Sequence, residues 1–183
     1  MKRVALFLAD GFEEIEALTP VDVLRRANIK VTTISISKDK LVKGAHEITV
    51  MADELIDQTN FSTFDALILP GGMPGTKNLN KCDQLKDILL EFSQAGKLIG
   101  AICAAPMVIG ELGLLNGKNA ICYPGFEKHL KGAIIQNKPS IADGNYITAN
   151  GVGSALQFAL NLVRELCDED TAKELARKML VVD

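Results

Sequence analysis

Short apolar runs alternate along this chain with stretches patterned for helices. That alternation constrains the fold more than any other feature. The runs are RVALFLA (3–9), KVTTISI (30–36), DALILP (65–70) and KLIGAI (97–102). A strand covered on both faces reads as a near-continuous apolar run, because neither side meets water. Residues 14–27 place Ile15, Leu18, Val21 and Leu24 at helical spacing, and a second helix is expected over about 83–95, ending before Gly96. Strands joined through helices pair in parallel. The chain is therefore predicted to be α/β, a doubly wound, mostly parallel sheet with helices on both faces.

The other segments fill in that plan. Pro20 interrupts the first helical pattern, which predicts a kink, or a helix starting near Thr19 with Pro20 in its first turn. Residues 41–51 read as a small hairpin around Gly44. Gly71-Gly72-Met73-Pro74-Gly75 is a breaker cluster. A helix is expected from about Ala105 to Leu112, and short strands at 119–122, 133–136 and 139–148, with Asp143-Gly144 as a turn. Two helices close the chain, at about 153–166 and 169–180. With 183 residues, 48% of them hydrophobic, and no repeat or linker, one domain over 1–183 is expected.

Composition narrows the partners. The net charge is −3 and no block of lysine and arginine occurs, so nucleic acid is not an expected partner. No apolar stretch approaches membrane-spanning length, so no membrane partner is expected either. The opening MKRVALFLADGFEE lacks a cleavage pattern before its acids and reads as a first strand. Cys82, Cys103, Cys122 and Cys167 are widely spaced, and only His46 and His129 could join them. No disulfide framework, metal site or cofactor is predicted, and reduced thiols point to a cytoplasmic location.

In doubly wound folds, ligands bind beyond the C-terminal ends of the strands. Three features fall there: DGFEEIE after the first run, PGG after the third, and Cys103 after the fourth. A thiol just before a helix gains from the helix dipole and the free N–H groups, so the pKa of Cys103 is expected to be lowered. The N–H groups of Gly71, Gly72 and Ala104 could hold an oxyanion. Glu13, Glu14 and Glu16 lie in the first turn of the expected helix, and a buried one beside a thiolate would have its pKa raised and could donate a proton near neutrality. Each feature also has a bland reading, as a core thiol, a loop or a solvated helix cap. Their joint placement on one sheet edge favours a site.

ADGFEEIEALTPVDVLRRANIKV, LPGGMPG and AICAAP together resemble the ThiJ/PfpI superfamily, and within it the Parkinson-disease-associated deglycase branch with its bacterial relatives. The likeness runs through NGVGSALQFAL, nearly the whole chain. It implies a flavodoxin-like α/β sandwich and a homodimer. It implies that Cys103 is the reactive cysteine, that Glu16 is the acid bonded to its sulfur, and that Gly72 and Ala104 hold an anion. Two departures matter. Ala104 stands where the peptidase branch has a histidine. Tyr123 stands where the deglycase branch has one; it could hydrogen-bond or bound the pocket, but it cannot act as an imidazole base near neutral pH. His46 occupies a position that the likeness associates with an arginine near the pocket.

The resemblance implies two functions of different kinds. One is a glyoxalase III or deglycase-like enzyme acting on small carbonyls such as methylglyoxal, with Cys103 as nucleophile. The other is a redox sensor or stress-protective chaperone in which Cys103 records oxidation. A PfpI-type peptidase or amidase ranks below both, and a housekeeping protein with a vestigial pocket is the bland alternative.

Overall fold

The computed structural model describes residues 1–181. Its elements, in chain order, are β1 (Arg3–Leu8), α1 (Glu14–Arg26), β2 (Lys30–Ser35), β3 (Leu41–Lys43), β4 (Thr49–Met51), β5 (Glu54–Leu55) and β6 (Ala66–Leu69). They continue as α2 (Gly75–Lys81), α3 (Asp83–Gln94), β7 (Leu98–Ile102), α4 (Pro106–Glu111), β8 (Asn119–Ala120) and β9 (Ile134–Ile135). The last are β10 (Ser140–Asp143), β11 (Tyr146–Ala149), α5 (Ala155–Leu166) and α6 (Glu169–Lys178).

Seven strands form the main sheet in the order β10-β11-β7-β6-β1-β2-β5. Every pair is parallel except β10 with β11. The chain builds outward from β1 to β2 and β5, then returns to add β6, β7 and β11 on the other side. This is the flavodoxin-like winding, and its switch point lies between β1 and β6. Ligands of such sheets bind where the strand order reverses.

Side-chain alternation along β1 shows why both faces must be covered. Val4, Leu6 and Leu8 enter one core with α1, α5 and α6. Ala5 and Phe7 enter the other with α2, α3 and α4. Each fully buried Phe or Leu contributes about 1.5–3 kcal/mol. The two cores clamp β1, β6 and β7, so the loops leaving these strands start from fixed points.

One of the two readings of the first helix falls, and one helix was not expected. α1 begins at Glu14, so Pro20 lies inside the helix and not in its first turn. An internal proline costs about 3 kcal/mol. Burial of Ala17, Pro20, Val21 and Leu24 along one face offsets that cost. α2 falls within and beyond the predicted breaker cluster, where only Leu79 offers a large apolar anchor. The hairpin around Gly44 forms as expected, from β3 and β4. Among the described residues, no helix is long and apolar enough to cross a membrane.

Candidate functional site

The loops after β1, β6 and β7 converge beside the switch point. Cys103 leaves β7 with φ +64°, in the left-handed region that costs a non-glycine residue about 1–2 kcal/mol. Two backbone bonds hold it there. Its N–H donates to Ala149 O at 2.9 Å, and its carbonyl accepts the N–H of Tyr123 at 2.7 Å. The thiol is half-buried.

Glu16 comes to this thiol from the second residue beyond the start of α1. It is fully buried. Its Oε2 accepts the Gly71 N–H at 2.9 Å, and its Oε1 has no hydrogen-bond partner among the described residues. Position 71 has room for nothing larger than glycine. A Cβ there would lie 2.6 Å from the Cys103 Cβ and 2.6 Å from Glu16 Oε2. The missing side chain lets the acid and the thiol share one space. Gly72 follows with φ +92°, packed against the backbone of residues 11–13.

The electrostatics follow from this burial. The Glu16 carboxyl is pushed up to about 7. Desolvation drives the rise and the Glu13 charge adds to it, while the Cys103 thiol and the Gly71 N–H oppose it. The Cys103 thiol is pushed up to about 12, first by burial and then by Glu16, against the pull of the Ala104 and Gly72 N–H groups. The lowered thiol expected from sequence is therefore reversed. α4 begins only at Pro106, with Ala105 as its cap, so Cys103 lies short of the helix end. Burial of the thiol, with the Glu16 carboxyl beside it, outweighs the dipole. Between about pH 7 and about pH 12 the pair holds one proton and one negative charge.

The other expected residues divide. Gly72 and Ala104 aim their N–H groups at the sulfur. Gly71 does not join them, because its N–H is taken by the buried Glu16 oxygen. Glu13 caps α1, and its N–H donates to Gly71 O at 2.9 Å, which ties the first loop to the second. Tyr123 is 50% exposed and sits beside Gly151, whose Cβ position lies 3.5 Å from the ring and 4.0 Å from Glu16 Oε1. His46 pairs with Glu14, not with the sulfur, its Nδ1 lying 2.9 Å from Glu14 Oε2. That bond raises the His46 pKa. Glu14 is only 4% exposed and also accepts the backbone N–H groups of His46 and Ile48. The acidic run is thus not a solvated cap: two of its members are buried and tied.

Among the described residues, Glu13, Glu14 and His46 are the group whose ligand atoms, all within 4.8 Å of one another, could hold a metal ion. Their mutual bonds already account for their placement as a tie between α1 and the β3–β4 hairpin. His129, at the far end of α4, is bonded to Glu111 at 2.7 Å. Cys122 is buried, Cys82 half-buried and Cys167 exposed. Gly151 and Ala149 are site residues that the sequence reading did not single out. The glycines of NGVGS were their only local signal.

The sequence profile of the DJ-1/PfpI family matches residues 2–165. The chain belongs to the DJ-1/PfpI family. It is 35% identical to the protein dj-1beta of Drosophila melanogaster over 98% of this chain and 97% of that one. It is 31% identical to the glutathione-independent glyoxalase DJ-1 of Schizosaccharomyces pombe, covering 93% of this chain and 94% of that one. The solved structure of oxidized Toxoplasma gondii DJ-1 superposes with a TM-score of 0.95 at 33% identity, over the whole of both chains. These relatives confirm the family and the flavodoxin-like fold that the motifs implied.

Proposed function

We propose that this DJ-1/PfpI protein converts small 2-oxoaldehydes such as methylglyoxal to 2-hydroxy acids without glutathione. The observation that carries the reading is the buried Glu16 carboxyl beside the Cys103 thiol, with the N–H groups of Gly72 and Ala104 facing the sulfur. In this scheme the Cys103 sulfur adds to the aldehyde carbon while Glu16 takes the thiol proton. The oxygen anion rests on Gly72 and Ala104, and its protonation gives a hemithioacetal. Glu16 then moves the proton from the former aldehyde carbon to the neighbouring carbonyl carbon. The aldehyde carbon is oxidised to a thioester and the ketone reduced to an alcohol, so no external oxidant or reductant is needed. Water cleaves the thioester, which releases the hydroxy acid and restores the thiol. The activity named for the Schizosaccharomyces pombe relative supports this chemistry. Lactate formed from methylglyoxal by purified protein, and lost in Cys103→Ser, is the expected result. No lactate, or as much from the serine variant, rejects it.

A second reading, oxidation sensing at Cys103, is favoured by the oxidized state of the Toxoplasma gondii neighbour. A protonated Glu16 could donate to a sulfinate oxygen by a charge-assisted hydrogen bond. Mild peroxide followed by peptide mass spectrometry decides it. Oxygen addition confined to Cys103 supports the reading, and even oxidation of all four cysteines contradicts it.

We also infer a cytoplasmic homodimer. Ile15 and Leu18 on α1, with Leu41, Ile48 and Met51 on the hairpin, expose apolar side chains, Met51 to 72%. The Glu14 bonds to His46 and Ile48 bring these two segments side by side. An apolar patch on adjoining elements suits a subunit contact.

A further inference from the structure

We propose that Tyr123 is the selectivity wall of the Cys103 site, which limits its partners to slender electrophiles and, on the enzymatic reading above, to short unbranched 2-oxoaldehydes. The position follows from backbone first. The Tyr123 N–H donates to the Cys103 carbonyl at 2.7 Å, so the ring is carried on the residue clamped to the nucleophile's own backbone. Gly151 stands between that ring and the acid. Its Cβ position is 3.5 Å from Tyr123 Cδ2 and 4.0 Å from Glu16 Oε1. That oxygen is buried and has no hydrogen-bond partner among the described residues. The ring and the bare backbone of Gly151 therefore stand over the buried carboxyl oxygen, on the side where Tyr123 is bonded to Cys103.

The ring is braced from outside. Phe126 meets it edge-on, with centroids 6.4 Å apart, and His129 packs against Phe126 at 6.0 Å. His129 is in turn bonded to Glu111 on α4. A half-exposed tyrosine would swing freely without these contacts. With them it is a fixed flank. Among the described residues the Tyr123 phenol has no hydrogen-bond partner, so the wall acts through the bulk of its ring. On this proposal the flank admits a methyl substituent and turns away a phenyl one.

The test reads Cys103 directly, apart from any turnover. Wild-type protein, Tyr123→Phe and Tyr123→Ala are treated with iodoacetamide and with N-phenylmaleimide. Labelling of the Cys103 peptide is followed by mass spectrometry, so the other cysteines do not contribute. Truncation to Ala should raise the ratio of bulky to small labelling at least tenfold. The Phe variant, which keeps the ring, should retain the wild-type ratio. An unchanged ratio in Tyr123→Ala overturns the proposal, as does a Phe variant that behaves like Ala. A parallel assay compares phenylglyoxal with methylglyoxal, and relative turnover of phenylglyoxal should rise in Tyr123→Ala. Absence of turnover with both substrates would reject the enzymatic reading alone, while the labelling ratio still decides the wall. Tyr123 is a surface residue, so its truncation is compatible with folding, which circular dichroism checks.

Discussion

Glu16 Oε2 accepts the Gly71 N–H at 2.9 Å, and this single bond sets the acid against the thiol. One carboxyl oxygen is fixed to the loop after β6, and the other is left buried without a hydrogen-bond partner among the described residues. Glycine at 71 is what allows the approach.

Gly71→Ala should separate the pair. The added methyl would lie 2.6 Å from both Cys103 Cβ and Glu16 Oε2, so one of them must move. Overpacking of this kind costs about 1–3 kcal/mol. Urea denaturation should show that loss, and Cys103 alkylation should lose its wild-type pH profile. An alanine variant with unchanged stability and profile would contradict the crowding.

Cys103 reactivity should rise with pH around 7. Below that the pair carries both protons, and above it one negative charge is shared between acid and sulfur. Alkylation of the Cys103 peptide by iodoacetamide, measured from pH 5 to 10, should therefore show a step near 7 in the wild type. Glu16→Gln cannot release that proton, so the step should vanish. Its persistence in Glu16→Gln would assign it to another group.

Stability should carry the opposite trend. Folded Glu16 holds its proton up to about 7, against an ordinary 4.5. The folded state therefore binds more protons than the unfolded chain between these values. The contribution of Glu16 is fully present below pH 4.5 and is lost as pH rises through about 7. The gap corresponds to about 3 kcal/mol. The Tm of Glu16→Gln relative to wild type should accordingly be higher at pH 8 than at pH 4.5. A constant difference across that range would reject the raised carboxyl.

Much of the frame was legible because burial leaves a mark on composition. β1, β6 and β7 are covered on both faces, and their apolar runs announce them. α2 was hidden because GTKNLNK has one large apolar anchor and begins among glycine and proline. The spacing over 14–27 marked α1, but Pro20 left its start open, because the buried face that tolerates an internal proline depends on distant partners. In the site, Cys103, Glu16 and Gly72 could be named from strand ends and family motifs. The upward shift of the thiol could not, since it depends first on how deeply the thiol itself is buried and then on where Glu16 packs. The diversion of the Gly71 N–H to Glu16 was hidden for the same reason: a loop's spare donors are known only once the buried acceptors are placed.

The apolar patch predicts assembly. Light scattering should give twice the chain mass for the wild type. Ile15→Glu with Met51→Glu should give the monomer, because both side chains are exposed and a charge there opposes only association. A wild-type monomer, or a dimer unaffected by both charges, would place the contact elsewhere or remove it.

The most direct measurement is lactate formation from methylglyoxal in glutathione-free buffer, by wild-type protein, Cys103→Ser and Glu16→Gln. The account predicts turnover by the wild type, a loss of about a hundredfold or more in each variant, and a wild-type rate that climbs as pH passes 7. Equal rates in wild type and Cys103→Ser, or no lactate from any of the three, would contradict it.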